Sequence, residues 1–243
     1  MKDIYFTLLS NERIANNTYE WKLSGDTSDI TASGQFVNIK LDGFYLRRPI
    51  SVCDVEGDVL TLIYKVVGEG TLKMSLMSAG ERVLVLTGLG NGYDLSKSGD
   101  KPLLIGGGAG VPPMYLLAKK LLDEGKRPSV ILGFNTKDEI FYRDAFEALG
   151  ISVAVTTQDG SFGTKGFVTD AIKEGEYTYF YTCGPEPMLR AVYNKTETEG
   201  QFSFEERMGC GFGACMGCSC KTKYGNKRIC RDGPVLTKEE IIW

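Results

Sequence analysis

An antiparallel all-β barrel, an α/β domain on a parallel sheet and a short cysteine-rich tail form the fold class that this 243-residue sequence predicts. Three changes of texture along the chain predict it. Up to about residue 98, short β-type runs alternate with Gly and Asp punctuation, the pattern of an antiparallel barrel or sandwich. From 99 to 199 strand-like and helix-like segments alternate, which argues a parallel sheet covered by helices on both faces. From 200 to 243 periodicity fades and Gly and Cys dominate. Such a segment buries too little apolar surface to fold alone, so something else must organise it. The expected units are therefore 1–98, 99–199 and 200–243.

In the first unit, Gln35–Leu41 alternates with period two, and Val59–Val67 is a rich strand. Arg82–Thr87 follows and ends on Gly88-Leu89-Gly90-Asn91-Gly92. In the second unit Leu103-Leu104-Ile105 runs into glycines, and Met114–Leu122 has helical spacing with Gly125 as its stop. Val130-Ile131-Leu132 is the next strand, followed by an amphipathic stretch to Leu149. Ile151–Thr156 and Tyr177–Tyr181 add two further strands.

Composition narrows the function classes. Hydrophobic content of 42%, charged content of 24% and a net charge of −3 fit a globular protein without a basic field for nucleic acid. The N-terminus lacks a signal-peptide pattern, and no run approaches the roughly 20 apolar residues of a membrane span. A cytoplasmic location is expected, with neither nucleic acid nor membrane as partner. The chain has no histidine, which removes His-based acid–base chemistry, triads with a His base and His-ligated metal sites. Of seven cysteines, Cys53 and Cys183 stand alone and five fall between 210 and 230. In an intracellular chain such clustering reads as a metal site before a disulfide framework.

The strongest motif is Cys210-x4-Cys215-x2-Cys218 with a distal Cys230, the plant-type spacing of a [2Fe–2S] cluster. Gly211, Gly213, Ala214 and Gly217 between the ligands let main-chain N–H groups approach the cluster sulfides. A zinc knuckle is the competing reading. It favours paired C-x2-C elements, and one such pair is present, Cys215 and Cys218. Cys220 is a spare, with Cys218 preferred as ligand by the spacing.

Gly106-Gly107-Gly108-Ala109-Gly110-Val111-Pro112-Pro113 follows a strand and opens a helix. Glycines there free backbone N–H groups for a pyrophosphate at the helix N-terminus, and proline suits the first helical turn. Pro113 replaces the third glycine of the strict dinucleotide fingerprint, so a plain strand-to-helix turn stays open. Where a Rossmann domain carries an acidic ribose ligand, the chain reads Phe134-Asn135-Thr136; Lys137 and Arg143 are the nearby cations for a 2′-phosphate. Cys183-Gly184-Pro185 ends a parallel strand, where ligands bind in such sheets, though a lone cysteine before a Gly-Pro turn is more often a packed residue. Arg48-Pro49-Ile50-Ser51, Ile63-Tyr64-Lys65 and Gly70-Thr71 form a fourth group, in which an Arg, a hydroxyl and a helix start can hold a phosphate.

In this order the motifs resemble the ferredoxin-reductase superfamily: R-x-x-S at 48–51, Gly-Thr at 70–71, a glycine-rich strand end, and C-G-P-x-x-M at 183–188. Glu205-Glu206-Arg207-Met208 before the cysteine run and Arg231-Asp232-Gly233-Pro234 after it resemble a narrower family, the electron-transfer subunits of NAD-dependent dihydroorotate dehydrogenase B, over essentially the whole chain. The resemblance implies FAD in the barrel, its ring system beside Arg48, Pro49, Ile50 and Ser51. Ile63, Tyr64 and Lys65 line it, and Gly70 and Thr71 hold its pyrophosphate. It implies NAD against Gly107, Gly108, Ala109, Gly110, Val111 and Pro112, with Cys183 nearby as the catalytic candidate. It implies the cluster on Cys210, Cys215, Cys218 and Cys230, at the interface with an FMN-containing catalytic subunit that oxidises dihydroorotate to orotate. The implied assembly is a heterotetramer with two of each chain. Related small subunits of ferredoxin-dependent NADP reductases or sulfide dehydrogenases share the layout. A redox-sensing or zinc-stabilised module without turnover is the reading from another class.

Overall fold

A computed structural model describes all 243 residues. The first unit contains β1 (Lys2–Ala15), β2 (Thr18–Ser24), β3 (Phe36–Ile39), β4 (Arg48–Glu56), β5 (Val59–Lys65), the short helix α1 (Glu69–Ser75) and β6 (Arg82–Leu89). The six strands close into an antiparallel barrel in the order β1-β2-β5-β4-β3-β6. Period-two alternation sends Val37 and Ile39 into the barrel core, where they pack with Trp21, Leu60 and Leu62. Phe36 belongs to a different core on the outer side of β3. Within the β-type texture expected from residue 1, no individual strand stands out before residue 35, and β1 and β2 occupy that stretch. Their register shifts between Leu8 and Ser10 and again between Arg13 and Ala15. Each bulge inverts the inside–outside alternation, which erases the periodic signal.

The second unit runs β7 (Pro102–Gly107), α2 (Pro112–Asp123), β8 (Ser129–Phe134), α3 (Arg143–Ala148), β9 (Ser152–Thr157), β10 (Thr164–Lys165), α4 (Val168–Ala171), β11 (Tyr179–Cys183), α5 (Glu186–Lys195) and β12 (Gly200–Ser203). The last stretch adds β13 (Ser219–Thr222), β14 (Gly225–Arg228), α6 (Ile229–Asp232) and β15 (Val235–Thr237). One seven-stranded sheet has the order β10-β9-β8-β7-β11-β12-β15, parallel except for the β12–β15 pair. The cysteine-rich chain leaves this sheet after β12 and rejoins it at β15, with β13 and β14 pairing as a small ribbon between.

β7 is central and buried throughout. Leu104 faces α2 in one core, while Leu103 and Ile105 face Leu189 and Val192 of α5 in another. Each such side chain contributes about 1.5–3 kcal/mol on burial, so the strand is clamped from both faces. Gly125 ends α2 with φ +75°, and the Lys126 and Gly125 N–H groups close on the Leu121 and Leu122 carbonyls at 2.9 and 2.8 Å. The amphipathic stretch toward Leu149 is shorter as a helix than its periodicity predicts. One 3-10 turn at Lys137–Glu139 precedes α3, and Tyr142 between them has φ +63°. Strand order reverses at β7, flanked by β8 and β11, and a sheet of this kind opens its ligand crevice there, at the carboxyl ends. No helix is long and apolar enough to cross a membrane.

Candidate functional site

Two clefts meet where the barrel faces the carboxyl ends of β7 and β11. The first, about 400 Å³, is walled by Arg48, Pro49, Ile50 and Ser51 of β4, by Ile63, Tyr64 and Lys65 of β5, and by Thr71 of α1. Gly70 lies behind Arg48 and not on the cleft surface; a Cβ on Gly70 would overlap the guanidinium, so a side chain there would displace the flexible end of the arginine from this position. The guanidinium also stacks on Phe44 at 4.7 Å. Thr71 Oγ1 accepts from the Val67 and Gly68 N–H groups at 3.0 and 3.2 Å, closing the N-terminal turn of α1. Arg48 thus packs its guanidinium directly on the first turn of α1 at the cleft wall, a positive charge beside a helix start, and the pairing suits a phosphate.

The second cleft, about 520 Å³, is lined by Gly107, Gly108 and Ala109 after β7, Asn135 after β8, Gln158 after β9, and Pro185 and Met188 after β11. Gly110, Val111 and Pro112 lie beneath it. A Cβ on Gly110 would overlap the Cys183 carbonyl, Val111 is buried, and Pro112 starts α2. Lys65 and Ala109 border both clefts, so occupants of the two would touch. Lys65 is held there by Glu139, Nζ to Oε1 at 2.9 Å. Burial alone would raise the Glu139 carboxyl, but its bonds from Lys65 and Asn135 outweigh it and hold the group below its ordinary value. Lys137 and Arg143 do not line the second cleft; Arg143 is spent on Glu147 at 3.0 Å and on the face of Phe162.

Cys183 ends β11 at 1% exposure and lines neither cleft. Burial pushes its thiol well up, with the nearby Glu205 adding to the shift, so no thiolate stands there at neutral pH. Cys183 therefore lies behind the strand end that marks it as the catalytic candidate, packed as a neutral thiol. Residues that the sequence reading left outside the clefts also take part. Phe204, Glu205, Glu206, Met208 and Pro234, from the two ends of the cysteine-rich excursion, complete the first cleft. Glu205 is open to solvent, but the protein around it desolvates its carboxyl and raises its pKa. Gln158 was findable by the rule that already pointed to Asn135, since both follow carboxyl ends of parallel strands.

The cysteines form two pairs. Ala214 and Cys215 N–H groups donate to Cys210 Sγ at 3.2 and 3.4 Å, and Cys210 N–H to Cys215 Sγ at 3.5 Å. Cys230 N–H donates to Cys218 Sγ at 3.4 Å. Cys215 is exposed and Cys210 half-buried, whereas Cys218 and Cys230 are buried. Nowhere do three thiols or carboxylates converge on one point. Two thiolates for each of two irons suits a [2Fe–2S] group, whereas a structural zinc would need four around one centre. Positive φ at Gly211 (+79°), Gly213 (+91°) and Met216 (+60°) turns the loop tightly about the sulfurs. Burial opposes it, but the loop's N–H donors carry Cys210 down to about 6; desolvation and Cys218 push Cys230 up to about 12. Cys220, on β13, belongs to neither pair and borders a separate hollow with Arg190 and Trp243.

Comparison with known proteins agrees with this division. Residues 205–242 match the iron–sulfur cluster binding domain of dihydroorotate dehydrogenase B, and residues 104–194 match an oxidoreductase NAD-binding domain. The electron transfer subunit of dihydroorotate dehydrogenase B (NAD(+)) from Fusobacterium nucleatum is 44% identical over 97% of this chain and 96% of its own. That of Bacillus pumilus is 44% identical over 99% and 98%. Among solved structures, an NADH-dependent reduced ferredoxin-NADP oxidoreductase chain superposes with a TM-score of 0.88 at 30% identity, covering 98% of this chain and 90% of that one.

Proposed function

The chain belongs to the electron transfer subunits of dihydroorotate dehydrogenase B, and from that premise we propose that it carries electrons from an FMN-containing, dihydroorotate-oxidising partner to NAD+, with a [2Fe–2S] cluster and FAD as its resident groups. The observation that carries this reading is the contiguity of two clefts at Lys65 and Ala109, with a paired four-cysteine centre whose flanking residues wall the first cleft. A flavin supplies the exchange between single-electron and hydride chemistry.

The residues take the following parts. Cys210 and Cys215 hold one iron, Cys218 and Cys230 the other, and loop N–H groups face the sulfurs. Arg48, with Thr71 and the start of α1, holds the flavin pyrophosphate. Pro49, Ile50, Ser51, Ile63 and Tyr64 wall its ring system. Gly107, Gly108 and Ala109 let the nicotinamide nucleotide lie against bare backbone, and Gly110, Val111 and Pro112 shape that turn from below. Lys65, neutralised by Glu139, closes the joint without adding net charge where the hydride crosses. Cys183 serves as a neutral thiol packed behind the joint, shaping it without acting as base or nucleophile. The one cation lining the second cleft, Lys65, is paired with Glu139, which supports NAD over NADP.

The exposed Cys215 loop, with Phe212 and Met216 at 44% and 54% exposure, is the port for the partner. We assign a heterotetramer with two of each chain. Seven free cysteines suit the reducing cytoplasm. Co-expression with the candidate catalytic subunit, followed by cofactor counting, tests the whole reading. One FAD, one FMN and two irons per pair of chains, with dihydroorotate-dependent reduction of NAD+, is the expected result. A complex that reduces NADP+ with ferredoxin but not NAD+ with dihydroorotate would overturn it.

A further inference from the structure

The geometry points to Asn38 as a positioning residue that seats the cysteine loop on the flavin-side barrel, an inference that rests on the reading above. Asn38 is the one polar residue of β3 and only 1% exposed. Its neighbours Val37 and Ile39 face the barrel core, which leaves Asn38 on the outward face with Phe36. Asn38 Nδ2 donates to the Cys210 carbonyl at 3.4 Å. A Cβ on the next residue, Gly211, would overlap that same nitrogen, so the loop is pressed onto the amide.

Across the sheet Asn38 pairs with Pro49, which walls the first cleft. A single side chain therefore stands one hydrogen bond from a cluster ligand and one strand from the flavin site. Its Oδ1 is buried and has no partner. A buried amide with its carbonyl oxygen unpartnered is a poor choice for stability alone. What the amide supplies is the donor to Cys210. That bond fixes the exposed, partner-facing cysteine pair against the barrel and so fixes the gap the electron crosses inside this chain.

Asn38→Leu tests this, because a near-isosteric apolar side chain removes the orphaned oxygen together with the donor. The variant is expected to match the parent in thermal stability of the cluster-free protein and in FAD content. Its cluster should release iron to a chelator about tenfold faster, the cost of one hydrogen bond. Visible circular dichroism, electron paramagnetic resonance and midpoint potential of the cluster should shift as well. Asn38→Ala, which adds no bulk, repeats the measurement if Asn38→Leu does not fold. Parent-like iron release, spectra and potential in the folded variant would overturn the role of Asn38. A parent protein that binds no cluster would instead overturn the functional reading beneath it.

Discussion

At the residue scale, the cysteines divide by partner more clearly than by spacing. Seven are present, and the spacing rule chose four of them while leaving Cys220 as a competitor to Cys218. The fold separates the two. Cys218 Sγ receives the Cys230 N–H, whereas Cys220 lies on β13 opposite Lys227, half-buried beside a different hollow. Cys215→Ala should therefore abolish the cluster, because one iron loses half its protein ligands. Cys220→Ala should keep it, and iron analysis of the two purified variants decides between them. Loss of iron from Cys220→Ala would make that residue a ligand. Cys183 shows the opposite limit of sequence reading. Its place at a strand end was legible, but its burial depends on Gly110 against its carbonyl and on β12 paired beside it in the sheet, and no local pattern records that.

At the scale of elements, most strands were legible because the α/β unit buries nearly continuous apolar runs, as β7 and β11 do. β1 was not, since its two bulges break the period on which recognition rests, and β2 pairs with it along that irregular edge. The C-terminal residues that complete the first cleft were invisible for another reason. They come to it by a long excursion between β12 and β15, and only closure of the sheet returns them. The glycine-rich turn between β7 and α2 illustrates how one motif splits by position. Gly110→Ala drives a Cβ into the Cys183 carbonyl, where backbone cannot yield, and should destabilise the protein by about 2–3 kcal/mol. Gly108→Ala meets nothing within 4 Å, so its φ of +51° alone costs about 1 kcal/mol. Because Gly108 lines the second cleft, its variant should also weaken NADH binding. Chemical denaturation and NADH titration of the pair separate the two effects, and equal loss of stability in both would contradict the distinction.

For the whole molecule, the barrel and the α/β unit are joined by charge and hydrogen bonds that surround the clefts. Lys119 of α2 reaches Asp54 and Glu56 on β4 at 2.7 and 2.8 Å, Lys65 reaches Glu139, and Tyr142 Oη donates to Glu20 on β2 at 2.7 Å. Desolvation works against the Lys119 ammonium, but its two carboxylates prevail and push its pKa up to about 12, so the link persists through the physiological range. None of these contacts involves the cysteine loop. The border at Lys65 and Ala109, where the two clefts meet, is thus built without the cysteine loop, although the ends of the cysteine-rich excursion wall the first cleft beyond it. In the Cys215→Ala complex supplied with FAD, NADH-dependent reduction of a small dye should persist within about threefold, whereas dihydroorotate-dependent reduction of NAD+ should fall by about a hundredfold or more. Steady-state assays of both activities on one preparation check this. If the two fell together while FAD stayed bound, the cysteine loop would be needed for the flavin–nicotinamide joint itself, and its role as the partner's entry point alone would be overturned.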